Sequence, residues 1–112
     1  MTFEPFAISV ERGRGVTLVG LSGEFDLAAA EEFRQQVWPL MAAAKGGSLV
    51  IDLRKLVFMD SSGIRSLLEL DAESRRDGFE LVVVRGTGPV GRAIELTSLD
   101  ELIRMVDEPP VA

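Results

Sequence analysis

The 112-residue sequence contains no cysteine and no histidine. Their absence excludes disulfides, thiolate nucleophiles and Cys/His zinc sites, and it removes the base from every Ser-His catalytic pair. Asp52 and Asp60 are the only carboxylates near the third predicted strand, but Asp52 lies inside an apolar run and Asp60 suits a helix cap. Because no nucleophile, base and orienting group can be assembled, we predict that the protein is not an enzyme and binds no metal or cofactor.

Basic residues are also scarce, since 12 lysines and arginines face 18 acidic residues and leave a net charge of −6. Such a chain repels phosphate backbones on average, so we predict no nucleic-acid partner. Residues 1–5 lack the basic region and apolar run of a signal peptide. The longest apolar-rich stretch, at 37–44, is too short to cross a bilayer. We therefore expect a cytoplasmic protein without membrane insertion.

Apolar periodicity predicts the elements of one domain that spans residues 1–112. Strands are predicted at 6–10, 16–21, 49–53, 80–84 and 102–106, and helices at 27–44, 61–76 and 89–96. Pro39 should kink the first helix. The order β-β-α-β-α-β-α-β indicates an α/β fold, in which helices pack on a mostly parallel central sheet that begins with a β-hairpin. The core should span about 6–106, with 107–112 as a flexible tail.

The segment Asp60-Ser61-Ser62-Gly63 stands where a strand leads into a helix. Asp and Ser are ordinary N-cap residues, and capping alone explains one of the three. Gly63 in the first turn costs up to about 1 kcal/mol relative to alanine, which makes sense if another backbone approaches closely there. Unpaired N–H groups and the helix dipole favour negative charge at this point. The two hydroxyls are therefore well placed to carry a phosphate.

A second motif, Gly86-Thr87-Gly88-Pro89-Val90-Gly91, matches the pattern G-x-G-x-x-G between a strand and a helix. That context is typical of dinucleotide binding. Too few residues follow Gly91 to build the second half of a dinucleotide-binding domain. We interpret the motif as a turn in which Pro89 starts a helix, and whether it binds a ligand stays open.

Four stretches, at 21–27, 50–53, 57–64 and 90–99, carry a resemblance to a known family. In this order they are similar to the STAS domain, and in particular to free-standing bacterial anti-sigma factor antagonists. The third stretch, which contains Asp60-Ser61-Ser62-Gly63, is the most specific. The resemblance covers the chain from about residue 6 to residue 106.

The resemblance implies a regulatory switch in which the protein binds an anti-sigma factor with serine kinase activity and so releases a sigma factor. The kinase would phosphorylate Ser61, with Ser62 as the alternative, and a PP2C-type phosphatase would reverse the modification. The residues expected to bind the partner are Glu24, Asp26, Met59, Asp60, Ser61, Ser62, Gly63 and Arg65.

Arg65 departs from the family, because many antagonists carry small or apolar residues just after the glycine. If it is exposed, its charge can alter partner choice or pair with the phosphate. The alternative function is a STAS domain that does not switch, as a scaffold or an accessory subunit of a transport or signalling complex. The sequence leaves open the identity of the sigma factor and the oligomeric state.

Overall fold

One sheet contains all the strands of the computed structural model, which describes residues 3–110. Its order follows the chain, and the strands are β1 (Ala7–Gly13), β2 (Val16–Phe25), β3 (Ser48–Met59), β4 (Glu80–Val84) and β5 (Met105–Val106). β1 pairs with β2 in antiparallel orientation, and the three following pairs are parallel. The predicted hairpin and mostly parallel sheet are confirmed.

Four helices connect these strands: α1 (Leu27–Val37), α2 (Met41–Ala44), α3 (Ser61–Asp77) and α4 (Gly88–Thr97). A 3₁₀ turn at Trp38–Leu40, with Pro39 inside it, separates α1 from α2. This is the predicted kink, because proline lacks the N–H that a continuous helix needs at that position. α3 ends at Gly78, which adopts the left-handed conformation with φ 76°.

The helices pack on one face of the sheet. The main core joins strand residues such as Leu49, Ile51 and Leu53 to the buried faces of α1, α3 and α4, represented by Phe33, Leu67, Leu70, Val90 and Ile94. Val50, Val82 and Val84 alternate with those strand positions and form a smaller cluster on the opposite face. β3 is therefore buried on both faces at its centre, as its continuous apolar run predicts.

Both strands that lead to the candidate site are longer than predicted. β2 continues through Phe25 rather than leaving the sheet at Ser22, and β3 continues through Met59 rather than ending at Leu53. Their parallel pairing carries register shifts between Gly20 and Ser22 and between Gly23 and Glu24, which accommodate the irregular stretch. The predicted last strand is shorter, since only Met105 and Val106 pair with β4 and Leu102 is 59% exposed.

Candidate functional site

The carboxyl ends of β2 and β3 lie side by side and hold the start of α1 next to the start of α3. Phe25 pairs with Met59, and the Asp60 N–H donates to the Phe25 carbonyl at 3.3 Å. Each strand is followed by a capping aspartate. Asp26 Oδ1 accepts the Ala29 N–H at 3.0 Å, and Asp60 Oδ1 accepts the Ser62 N–H at 2.8 Å. Two helix N-termini therefore open on the same edge of the sheet.

Asp60, and not a serine, caps α3. Its side chain binds the Ser62 N–H, while its carbonyl accepts the Gly63 and Ile64 N–H groups at 3.1 and 3.2 Å. Ser61 is the first residue of the helix and is exposed, whereas Ser62 is half-buried. Within residues 3–110 the Ser61 hydroxyl makes no hydrogen bond to another protein atom. Its oxygen is therefore available to a partner or to a modifying enzyme.

Gly63 is required by packing beneath this turn. A Cβ at this position would meet Met59 Cγ at 2.5 Å and Phe25 Cγ at 3.1 Å. The close approach that we predicted is present, but side chains and not a backbone make it. Met59 and Gly63 are both buried, so they support the turn from inside rather than forming its surface.

A groove of about 440 Å³ runs between α1 and α3 and opens beside the two serines. Its lining consists of Leu27, Ala30, Glu31, Arg34, Trp38, Ser61, Ser62, Arg65, Ser66 and Glu69. Arg34 crosses from α1 to pair with Glu69 of α3 at 3.1 Å, and its guanidinium lies 4.9 Å from the centre of the Trp38 ring. The groove thus combines aromatic and aliphatic surface with one ion pair that spans it, a composition that suits a protein partner.

Leu27 is the position at which the helical pattern misleads. Its spacing from Ala30 and Phe33 predicts a core residue, yet it is the first residue of α1 and is 76% exposed. It lines the groove next to Ser61 and Ser62. One feature of the sequence could have indicated the groove. Leu27 is an apolar residue directly after the Asp26 cap, and the first residue of a helix can lie outside the core.

The remaining predicted site residues, Arg65, Asp26 and Glu24, lie in three different places. Arg65 is exposed and lines the groove together with Ser61. Asp26 is half-buried at the start of α1, at the same edge as Ser61. The Glu24 carboxylate accepts the Glu4 N–H at 3.0 Å, and the Glu24 N–H donates to the Glu4 carbonyl at 3.1 Å. Glu24 thus holds the segment before β1 against the end of β2.

Two glycines of the Gly86–Gly91 loop, the first and the last, have a packing role. A Cβ on Gly86 would meet Val90 Cγ1 at 2.6 Å, and a Cβ on Gly91 would meet the Gly86 carbonyl oxygen at 2.8 Å. The loop and α4 therefore approach too closely for any larger residue. The helix begins at Gly88, one residue before Pro89. Gly88 has open space around it but adopts a positive φ of 57°, which favours glycine, so packing and backbone conformation together account for the three glycines.

Asp52, a carboxylate whose pKa is perturbed, lies away from this site. Asp52 follows Val50 on the sheet face opposite the helices, and Arg54 forms a forked contact with it, Nε to Oδ1 at 3.0 Å and Nη2 to Oδ2 at 2.8 Å. Burial acts to raise the pKa of Asp52, but the hydrogen bonds from the Arg54 side chain and backbone, with the charges of Arg54 and Lys55, lower it below 3.8. This pair is part of the sheet's structure.

In residues 3–110 no group of three or more acidic, cysteine or histidine side chains is arranged to hold a metal ion. No helix in the same range has the length and apolar character needed to cross a membrane.

Comparison with known proteins places the chain in a family. The STAS domain model matches residues 7–110. An anti-sigma F factor antagonist from Paenibacillus polymyxa is 31% identical over 100 residues, which are 89% of this chain and 86% of that protein.

Two solved structures share the fold. An anti-sigma factor antagonist from Mycobacterium paratuberculosis has a TM-score of 0.77 at 31% identity, covering 93% of this chain and 87% of the other. The Bacillus cell fate determinant SpoIIAA in its phosphorylated form has a TM-score of 0.67 at 21% identity, covering 91% of this chain and 93% of the other. The sheet order, the Asp60-Ser61-Ser62-Gly63 turn and these matches agree, and the chain belongs to the STAS domain family.

Proposed function

We propose that the protein is an anti-sigma factor antagonist whose binding is switched off by phosphorylation of Ser61. The observation that carries the proposal is the position of Ser61, which is exposed at the mouth of the α1–α3 groove and whose hydroxyl makes no hydrogen bond within the described residues. The relatives that bear this functional name at 31% identity support the same role. The protein then acts as a regulatory binding module and not as an enzyme.

The proposed partner is an anti-sigma factor with serine kinase activity, which binds the surface formed by the start of α3 and the groove. In the phosphoryl transfer, the γ-phosphoryl group of ATP moves to Ser61 Oγ, the hydroxyl proton is lost and ADP leaves. A PP2C-type phosphatase restores the serine by hydrolysis. The bound state of the unmodified protein displaces the sigma factor.

Charge explains why one phosphate would break the complex. The modification adds about −1.5 to −2 charges at neutral pH. Those charges would lie one residue from Asp60 and would have to be desolvated when the partner docks, which opposes association. The start of a helix tolerates an anion, so the domain itself stays folded. The SpoIIAA structure supports this point, since that protein keeps a matching fold in its phosphorylated form.

Two measurements test the proposal. The purified protein is incubated with ATP and each anti-sigma factor of the source organism, and tandem mass spectrometry locates any phosphate. We expect a single phosphate on Ser61 and none in the Ser61→Ala variant. A phosphate on Ser62 alone would move the acceptor by one residue and overturn the Ser61 assignment.

The second measurement separates switching from simple binding. A preformed complex of sigma factor and anti-sigma factor is mixed with the protein, and size-exclusion chromatography reports free sigma factor. We expect release by the unmodified protein. If the first measurement finds no phosphate with any of the anti-sigma factors, the alternative, a STAS domain that does not switch, is supported whether or not release occurs.

A further inference from the structure

Arg65 lies one helical turn after Ser61 on the same side of α3. Residues four apart on a helix are neighbours, and both of these side chains are exposed and line the groove. Arg65 is therefore the cation of α3 nearest in sequence to the proposed acceptor.

The other groove cation is already engaged. Arg34 pairs with Glu69 at 3.1 Å and stacks over Trp38 at 4.9 Å. Glu69, one turn beyond Arg65, is therefore bound across the groove. The other groove carboxylate, Glu31, accepts a hydrogen bond from Gln35 at 3.3 Å on α1. Within residues 3–110 Arg65 forms no ion pair.

We propose that Arg65 binds the phosphate once Ser61 carries one. The inference rests on the proposed acceptor, Ser61, and adds the residue that holds the modified state. A guanidinium presents its N–H donors as a planar fork that matches two phosphate oxygens, whereas a lysine presents a point charge. The two helical neighbours then form an intrahelical pair beside the existing Arg34–Glu69 pair.

This pairing gives the phosphorylated protein a defined surface. Arg65 holds the phosphate along α3 at the mouth of the groove, beside Leu27 and Ser62, where the partner would dock. The same contact withdraws the Arg65 side chain from any interaction with the partner. Phosphorylation then changes two features at once, because it adds an anion and removes a free cation.

The test places phosphoserine at position 61 of the full chain by genetic-code expansion, which needs no kinase. A ³¹P NMR titration measures the second pKa of the phosphate, which is about 6 in an unperturbed group. A nearby cation stabilises the dianion and lowers this pKa. We expect Arg65→Gln to raise it by about 0.3–0.7 unit, the scale of an exposed ion pair.

Arg76→Gln is the matched control, since it removes the same charge from an exposed position at the far end of the same helix, where Arg76 pairs with Glu73 at 3.4 Å. It should move the phosphate pKa by less than about 0.1 unit because screening acts over the length of α3. Arg65→Lys should give an intermediate value. Unphosphorylated Arg65→Gln should unfold at the temperature of the unmodified parent, so that a change in folding is not mistaken for lost pairing.

Equal phosphate pKa values in the Arg65→Gln and Arg76→Gln proteins would overturn the inference. That result would leave Arg65 free to contact the partner directly. Pairing of Arg65 with the phosphate can be tested independently of phosphorylation by a kinase, because the NMR titration uses no kinase. A clear Arg65 effect with no enzymatic phosphorylation would remove the proposed switch but keep the pairing.

Discussion

Asp60 and Ser61 are adjacent but have different roles: Asp60 is structural, and Ser61 is the proposed site of modification. Asp60 supplies the cap of α3 through its contact with the Ser62 N–H at 2.8 Å. Ser61 follows as the first helical residue, exposed and outside the capping contacts. A modification of Ser61 therefore leaves the cap in place, which is the arrangement that a reversible switch needs.

This division predicts different stabilities for two alanine variants. Asp60→Ala should lower the free energy of unfolding by about 0.5–2 kcal/mol, the usual cost of a lost N-cap. Ser61→Ala should change it by less than about 0.5 kcal/mol, as expected for an exposed position. Urea unfolding of both variants beside the parent gives the comparison. Equal losses in the two variants would show that Ser61 has a structural role.

For these residues, the sequence predicted the helix cap correctly but did not predict which residues pack beneath Gly63. The type of residue at 60–62 suffices to predict a helix start, because capping is a local interaction. The reason for Gly63 is not local, since it depends on Phe25, which arrives from another strand. The sequence therefore predicted a close approach at Gly63 but named the wrong kind of neighbour.

At the scale of elements, the proposed function depends on the groove between α1 and α3. Helix periodicity predicted which faces of α1 enter the core, and Phe33 and Val37 are buried as expected. It could not predict that Leu27 of α1, Trp38 of the 3₁₀ turn and Glu69 of α3 line one groove. The groove depends on how the sheet places the two helices relative to each other, and the apolar pattern of either helix alone does not contain that information.

Leu27 tests whether the groove takes part in docking. Leu27→Ala should weaken binding to the anti-sigma factor at least about fivefold, because an exposed apolar side chain beside Ser61 is suited to bury its surface in the partner. The variant should remain as stable as the parent. Isothermal titration calorimetry measures the affinity.

Leu96→Ala is the matched control for this experiment. Leu96 is a leucine of similar exposure, 79% against 76% for Leu27, but it lies on α4 and away from the groove. Its substitution should leave the affinity within about twofold, as for most surface positions outside an interface. If the two variants bind equally well, the groove is not part of the docking surface.

Strand ends show the same limit of local patterns. The run 54–58 mixes charged and apolar residues, so alternation predicts that β3 stops at Leu53. In the structure β2 supplies the hydrogen bonds and the register shifts that carry β3 to Met59. Long-range pairing decided the length, and that extension is what brings Phe25 and Met59 beneath Gly63.

At the scale of the whole molecule, the sheet separates the candidate site from an ion pair that supports the fold. Helices and groove occupy one face, while Asp52 and Arg54 lie on the other. The order of elements could be predicted from the sequence because β-α alternation restricts the topology strongly. Changes at Asp52 should therefore alter stability and leave partner binding unchanged.

The pKa of Asp52 predicts how this contribution depends on pH. Arg54 lowers the pKa of the folded carboxyl below 3.8, so the unfolded chain takes up a proton first as the pH falls. The stabilisation is complete above the unfolded pKa and is lost as the pH falls through the folded pKa. Asp52→Asn should therefore be less stable than the parent at pH 6, and the difference should shrink below about pH 4.

Urea unfolding at a series of pH values checks this dependence, with Asp77→Asn as a control at an exposed carboxylate. A parent-to-variant difference that stays constant from neutral to acidic pH would mean that the Asp52–Arg54 pair adds no pH-dependent stability.

If a phosphate on Ser61 prevents docking, the affinity of the anti-sigma factor should differ among three forms of the protein. Isothermal titration calorimetry compares the parent, Ser61→Ala and the protein with phosphoserine at position 61. We expect Ser61→Ala to bind within about twofold of the parent and the phosphorylated form to bind at least about tenfold more weakly, or roughly 1.4 kcal/mol. A folded phosphorylated protein that binds as tightly as the parent would show that a phosphate on Ser61 does not prevent docking.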